Sequence, residues 1–363
     1  MRRCDVLVVG AGPAGASAAY LLASHGIDTI VIEKTQYAFT SNAWKIDASP
    51  AYLIDEMVSK YSLPVVGFSK CCTWHAPSGD SFTMFSDVGE FYFLRGNIPD
   101  SYEEIMRMRA IESGAKFIMG VDSFHLSNEK VTIECACRQF EIKPSYIIGA
   151  DGQNSKFHAM IDAKVFRVIG CYGKSGSNFT PPEHTHVYFD PDVLPGGYFY
   201  MVTDKRGMST AGAVVNISSD KTPPPSECFE DFMRNNDDVC KSVKKSKTIT
   251  FSGTGKIIKV SKVNFDNIFL IGDAGGFIDP LFGYGMSPAI LSAYMCFIVI
   301  YGYLTGEYDY NYDDLTSKAF NYDSRFKLRE IFESLESEDI TWIINFMNRF
   351  KDKIGDIIDN TFI

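Results

Sequence analysis

The stretch Asp5-Val6-Leu7-Val8-Val9-Gly10-Ala11-Gly12-Pro13-Ala14-Gly15 decides the reading of this chain. A short β-rich apolar run enters Gly-x-Gly-x-x-Gly. An Ala/Leu-rich helical stretch follows to Ser24, where His25-Gly26 stops it. A second apolar run, Thr29 to Ile32, ends in Glu33. Strand, glycine turn, helix and strand in this order open a dinucleotide-binding βαβ unit, and each motif position has a physical task. Gly10 permits the tight turn. Gly12, followed by Pro13 and Ala14, lets a pyrophosphate approach backbone N–H groups at the helix start, and Gly15 lets helix pack on strand. Glu33 accepts hydrogen bonds from a ribose 2′-hydroxyl and so disfavours a 2′-phosphate; Lys34 beside it is counted with the cofactor-binding residues.

The frame around this unit is that of a globular protein. The 363 residues suffice for two or three structural units. Hydrophobic residues at 45% and charged residues at 22% exclude disorder as the main state. Lys plus Arg 35 against Asp plus Glu 45 gives a net charge of −10, which argues against nucleic acid as a partner. Nine cysteines, an odd number without paired C-x-x-C spacing, suggest reduced thiols and a cytoplasmic location. Pro280 to Gly306 carries no charge and is long enough to span a bilayer, but its glycines, Pro288 and serines point to a buried core helix.

Further along, Phe68 to Trp74 and Ser81 to Phe85 read as a hairpin turning at Ser78-Gly79, inserted into another sheet. A helix over 99–113 with Asp100 or Ser101 as cap leads to the strand Lys116 to Met119. A meander over 121–143 and a buried strand at Tyr146 to Ala150 follow. His186 to Phe189, Tyr198 to Thr203 and Ser209 to Val215 alternate like strands, and Gly253 to Ile257 reads as a turn. The tail from Asn311 is helical; its stripe Trp342, Ile343, Phe346, Met347 and Phe350 is expected to pack on the domain rather than on lipid. His184-x-His186 and Cys135-x-Cys137 each place two ligand-type side chains on one strand face, and without a third ligand no metal is expected.

Two more strand ends set an acid among small residues: Gly149-Ala150-Asp151-Gly152, and Gly272-Asp273-Ala274 with the later loop Asp279-Pro280-Leu281-Phe282-Gly283-Tyr284-Gly285. Either alone could be a plain turn. With the first motif, over residues 4–305, they resemble flavoproteins of the para-hydroxybenzoate hydroxylase fold, which have these three motifs in this order. The resemblance implies FAD, with Asp273 on the ribityl chain and the N-terminal end of a helix, at Gly283 to Met286 including Gly285, at the flavin pyrimidine ring. A positive helix end there suits the charge of a reduced flavin. Arg95 falls where that fold has an FAD-contacting arginine, and Lys45 with Trp44 could face the isoalloxazine.

Within that fold, Pro195-Gly196-Gly197-Tyr198-Phe199-Tyr200 and the Asp279 to Gly285 loop are similar to the geranylgeranyl reductase group, whose patterns are Tyr-x-Trp-x-Phe-Pro and N-P-L-x-G-x-G. The resemblance implies reduction of isoprenoid C=C bonds, hydride leaving flavin N5, with Tyr198, Tyr200 and Tyr284 as catalytic-site candidates. Open alternatives are an aromatic monooxygenase or halogenase of the same fold and a flavin protein passing electrons to quinone. A hydrophobic or lipid substrate is implied, together with an electron-donor protein and peripheral membrane contact as further partners. No second dinucleotide fingerprint follows, which leaves NAD(P)H and ferredoxin open as external reductant. The expected organisation is α/β: a Rossmann-type FAD-binding domain from 1–66, 94–158 and 256–305, interleaved with an antiparallel β-sheet substrate domain from 67–93 and 159–255. A helical C-terminal region covers 306–363.

Overall fold

The computed structural model describes residues 2–36, 43–96, 98–127, 130–136, 138–180, 184–244 and 246–350. The chain opens with β1 (Arg2–Val9), α1 (Pro13–Ser24), β2 (Thr29–Glu33), β3 (Trp44–Pro50) and α2 (Asp55–Tyr61). β4 (Gly67–His75), β5 (Ser81–Gly96), α3 (Tyr102–Glu112) and β6 (Lys116–Met119) follow. Next come β7 (Ser123–Ser127), β8 (Lys130–Cys135), β9 (Arg138–Gly149), β10 (Lys164–Ser177) and β11 (Thr185–Tyr188). β12 (Tyr198–Thr203) and β13 (Met208–Asn216) precede α4 (Pro225–Asn235), α5 (Asp237–Lys244) and β14 (Ile249–Lys259). The last elements are β15 (Asn264–Phe265), β16 (Ile268–Leu270), α6 (Met286–Thr305), α7 (Tyr312–Phe320), α8 (Asp323–Ser334) and α9 (Ser337–Arg349).

The first sheet has the core order β6-β2-β1-β9-β16, and every pairing along it is parallel. The order reverses direction at β1. Such a reversal opens a crevice beyond the carboxyl ends of the central strands, where α/β proteins bind ligands. Alanines make the packing around it tight: Ala16, Ala18 and Ala19 on α1 are fully buried, and α1 lies against both α3 and α6. α6 is the helix, among the described residues, long and apolar enough to cross a membrane, and 61% of its apolar window is buried inside the protein. It is the core helix expected of that uncharged stretch.

The second sheet runs β14-β10-β13-β12-β11-β4-β5-β3 and is antiparallel except where β11 pairs with β4. β3 folds back against β10, β12, β13 and β14, so the sheet curls. α4 and α5 cover its outer face, setting Phe229, Phe232 and Met233 against Phe199 and Met201. The inner face looks onto the crevice of the first sheet.

Several sequence expectations need correction. Trp44–Pro50 lies inside the expected 1–66 segment but pairs with β5 in the second sheet, register Lys45 opposite Arg95. β5 itself continues past 93 to Gly96, and β14 runs through Gly253 and past 255 to Lys259, so that segment is strand rather than turn. The reason is shared: short polar residues inside these runs mask strand periodicity, and long-range pairing overrides local preference. On α9, Ile340 and Ile344 are buried, whereas Trp342 is 66%, Phe346 45% and Phe350 37% exposed. Residues 342, 346 and 350 form one helical row and 340 and 344 another, and only one row can face the protein. The rings of the outer row meet one another, Trp342 stacked on Phe346 at 5.3 Å and Phe346 tilted against Phe350 at 4.7 Å. Cys137, and the tail beyond Phe350, lie outside the described residues. The eight cysteines among the described residues are all free.

On the second sheet, away from the crevice, His184 and His186 stack at 4.5 Å, and His75 Nε2 lies 3.0 Å from His186 Nδ1. Burial, helped by the His184 imidazole, pulls His75 down to about 4; burial, then His184 and His75, pull His186 down to about 3. Both rings are thus neutral when folded, while the unfolded chain protonates them below about pH 6.5. Between these values the unfolded state binds more protons, so stability falls as pH drops from about 6.5 toward 3. After discounting for solvent screening, the expected loss from pH 7 to 4.5 is on the order of 2 kcal/mol. Urea midpoints at both pH values should differ less in a His75→Gln/His186→Gln variant than in the parent; an unchanged difference would show that these rings do not carry the effect.

Candidate active site

The glycine turn after β1 is held by close backbone contact. Gly10 adopts φ +106°, and a Cβ there would stand 2.3 Å from the Ala150 carbonyl oxygen at the end of β9. A Cβ on Gly15 would stand 2.0 Å from the Gly10 oxygen, whereas one on Gly12 would meet nothing within 4 Å. Gly12 therefore faces open space at the start of α1. That helix has no side-chain cap and no acid in its first turn, which leaves its leading N–H groups and positive end to a ligand. Pro13 and Ala14 line the same opening, as do Glu33 and the exposed Lys34. Glu33 Oε2 accepts from Ala11 N at 2.8 Å, and Oε1 accepts from Thr35 N at 3.0 Å, so the acid also braces the turn.

Across the crevice, Asp151 Oδ2 accepts from Lys156 N at 2.9 Å while its Oδ1 is shielded from solvent without a partner among the described residues. Asp273 follows β16, on the turn begun by Gly272. Burial pushes its carboxyl up from the usual range, partly opposed by the positive charges of Arg95 and Lys45. Those two cations stand opposite each other on β5 and β3 and share one carboxylate: Lys45 Nζ is 2.7 Å from Asp47 Oδ1, and Arg95 Nη1 is 3.1 Å from Asp47 Oδ2. Arg95 Nε also pairs with the buried Glu103 of α3. Burial would depress Lys45, but Asp47 outweighs it and holds the ammonium charged; burial also disfavours the Asp47 anion, and Lys45 with Arg95 overcomes that.

The loop entering α6 is organised by a fully buried Asp279. Its Oδ1 accepts from Phe282 N at 2.7 Å, its N–H donates to Tyr284 O at 3.0 Å, and Oδ2 pairs with Arg325 of α8. Arg329, one turn on and 1% exposed, donates to Leu281 O at 2.8 Å and Gly196 O at 2.6 Å and pairs with Glu333 at 2.6 Å. α8 therefore clamps this loop to the turn before β12. Ser287 N donates to Ser49 Oγ at 3.1 Å, which docks the start of α6 on β3.

Tyr198, Tyr200 and Tyr284 all reach the cavity, and burial pushes each phenol up, keeping the proton on. Tyr198 donates that proton to Phe282 O at 2.6 Å, and Tyr284 accepts from Arg325 Nη2 at 3.1 Å. Gly10 and Gly12 of the first motif, Asp151 with Gly152, Gly272 with Asp273, Lys45, Arg95, the three tyrosines, Gly283, Gly285 and Met286 line one continuous cavity of about 990 Å3, at the top of the usual range for ligand sites, whereas Gly15 is buried beneath the turn, outside that lining. One end is backbone amide and charge. The other is apolar, walled by Trp74, Met84, Val187, Phe189 and Phe282. Sequence reasoning missed Asp47, Glu103, Arg325 and Arg329; a usable signal was the i, i+4, i+8 row of Arg325, Arg329 and Glu333.

A family model described as an FAD binding domain matches residues 3–42. The chain is 29% identical over 300 residues to the digeranylgeranylglycerophospholipid reductase of Methanocaldococcus jannaschii, covering 79% of this chain and 74% of that protein. It is 25% identical to a second such reductase, from Methanosphaera stadtmanae, over 94% of this chain and 90% of the relative. Among solved structures, a geranylgeranyl bacteriochlorophyll reductase-like protein from Thermoplasma acidophilum superposes with a TM-score of 0.79 at 21% identity, covering 95% and 91% of the two chains. A flavin-dependent brominase has a TM-score of 0.73 at 16% identity over 99% of this chain and 92% of its own, which shows a shared fold. The cofactor is FAD, and the residues present fit it: the open approach at Gly12 to an uncapped helix end, the acid Glu33, and an elongated cavity leading to Asp273 and the start of α6.

Proposed function

Because this chain belongs to the geranylgeranyl reductase family of FAD-dependent oxidoreductases, we propose that it saturates carbon–carbon double bonds of a prenyl-chain lipid. The observation that carries the reading is the single cavity whose polar half has the dinucleotide features and whose other half is walled by aromatic and aliphatic side chains. Bound FAD, once reduced, supplies hydride at N5. The chain's own residues bind and orient. Gly10, Gly12, Pro13, Ala14, Gly15, Glu33 and Lys34 would hold the adenosine and pyrophosphate end. Asp151, Gly272, Asp273, Lys45 and Arg95 would hold the middle. Gly285 and Met286 would present backbone N–H groups and the positive end of α6 to the ring, while Gly283, whose own N–H donates to Asp279 O at 3.0 Å, would shape the approach. Tyr198, Tyr200 and Tyr284 wall the reaction space. With the apolar side chains they exclude water, which protects a reactive cofactor from side reactions.

α9 packs behind the apolar end of this cavity. Its inner residues Ile340 and Ile344 pack with Phe82 and Phe189 at the apolar end, and its outer row exposes Trp342, Phe346 and Phe350. A substrate that lives in a bilayer needs a route into the protein, and this helix offers aromatic rings at its outer face for peripheral membrane contact.

The test is anaerobic incubation of the dithionite-reduced, FAD-loaded protein with liposomes containing a geranylgeranyl glycerolipid, followed by mass spectrometry. A gain of two hydrogens per double bond is expected, and the protein should sediment with the liposomes more weakly after Trp342→Glu. Oxygen insertion on re-aeration in place of hydrogen gain would overturn the reductase reading in favour of a hydroxylase.

A further inference from the structure

We propose that Glu90 of β5 is the acid that protonates the substrate double bond. The proposal rests on the reading above, that the cavity saturates C=C bonds, and adds the group that reading lacks. Saturation of one double bond forms two C–H bonds. One takes hydride, the two electrons coming ultimately from NAD(P)H or ferredoxin. The other forms when the alkene carbon takes the proton of the Glu90 carboxylic acid, whose O–H bond breaks and leaves a carboxylate that solvent must reprotonate.

Three observations converge on this residue. Glu90 lines the cavity together with Thr185, Cys72, Trp74, Met84 and Val187, in its apolar half. It stands opposite Pro50 of β3, and the Pro50 carbonyl accepts from Ser287 Oγ at 2.7 Å, so the acid sits beside the strand that carries the N-terminal end of α6. Its Oε2 is shielded from solvent and, among the described residues, has no hydrogen-bond partner, and no cation pairs with the group in the structure as described. A carboxylate in that position is costly and a neutral acid is not. Burial accordingly pushes Glu90 up, and the Thr185 hydroxyl beside it opposes this only in part.

The neighbouring candidates are weaker acids. Burial raises the Cys72 thiol well above its ordinary value, with the Glu90 carboxyl adding to the effect, and it likewise raises the phenols of Tyr198 and Tyr200. Each starts four or more units above a carboxylic acid and moves further from neutrality, whereas Glu90 moves toward it, the direction that favours proton transfer at neutral pH. The polar groups around the acid are ordered: Thr185 Oγ1 donates to Tyr92 Oη at 3.2 Å, Ser69 lies beside that phenol, and Ser69 sits at the bulge of β4 opposite Glu90.

Infrared difference spectra of the oxidised and of the FAD-free protein, Glu90→Gln against parent, should show at pH 7 the C=O stretch of a protonated carboxylic acid that the variant lacks. The same variant should bleach with dithionite at the parental rate and bind the prenyl lipid with unchanged KM, while its kcat for lipid saturation falls about 100-fold or more. Retained FAD and an unchanged melting temperature show that the isosteric variant folds. Absence of the band, or a kcat within about twofold of the parent, would overturn the role of Glu90 alone. A parent protein that is reduced normally but saturates no prenyl lipid would overturn the substrate reading, and the proposal with it.

Discussion

Replacing Gly15 by valine is expected to yield protein that carries no FAD. A Cβ at this position would lie 2.0 Å from the Gly10 oxygen and 3.2 Å from the Ala150 Cβ, and the first of these is backbone of the turn itself. No rotamer relieves such a contact, so α1 has to move off β1 and the turn has to open. That costs packing among the fully buried alanines of α1, roughly 1–3 kcal/mol or more, and it displaces the helix start from the pyrophosphate. Gly12→Ala separates the two effects. Its Cβ meets nothing within the protein, so the FAD-free form should melt within a degree or two of the parent, yet the methyl occupies the approach of the pyrophosphate. Affinity for FAD, followed by flavin fluorescence quenching, should fall about 100-fold or more in both variants, while only Gly15→Val loses FAD-free stability. Since a ligand at 100 times its Kd adds about 2.7 kcal/mol, the FAD-dependent rise in melting temperature should vanish as well. A Gly12→Ala protein that stays yellow through purification and melts with the parent's FAD shift would place the coenzyme elsewhere.

What could be read in advance follows from where the physics is local. The turn at Gly10, the acid Glu33 and the helix of Ala-rich sequence lie within about thirty residues of one another, and their chemistry is written in residue type and spacing, even though the turn also packs on the distant Ala150. Asp151 and Asp273 were legible as strand ends, and the parallel pairing of β9 with β1 and β16 is what brings them to the same crevice. β3 was hidden because Lys45 and Asp47, polar residues in a strand, look like loop until Arg95 is seen across from them. Glu90 was hidden for the same reason: besides the adjacent β4, its surroundings depend on β11, whose residues come from far along the chain. The row on α8 had a periodic signal but no local way of showing that it reaches the loop some forty residues upstream.

That row supports the prediction with the larger effect on stability. Asp279 begins a loop that, in the related pattern, begins with asparagine; the aspartate is fully buried and Arg325 is its cation. Arg325→Met should therefore cost about 3–5 kcal/mol, because it leaves a buried carboxylate uncompensated rather than merely deleting a contact. The side-chain oxygen of an asparagine at 279 can still accept from Phe282 N, the bond that shapes the turn, without needing a cation. Adding Asp279→Asn to Arg325→Met should for that reason restore roughly 1–3 kcal/mol, although it removes a further charged group. Asp279→Asn alone should be milder than Arg325→Met, since Arg325 keeps the Tyr284 hydroxyl and is less deeply buried than Asp279. Urea denaturation of the four FAD-free proteins measures this cycle. The order expected from charge burial puts the double variant between Arg325→Met and the parent. A double variant as unstable as Arg325→Met would mean that the arginine acts through packing on Tyr284 and α8. Because Gly283 to Met286 hang from this loop, FAD affinity should rank the variants in the same order as their stability, which ties a charge pair outside the coenzyme's own contacts to how firmly it is held.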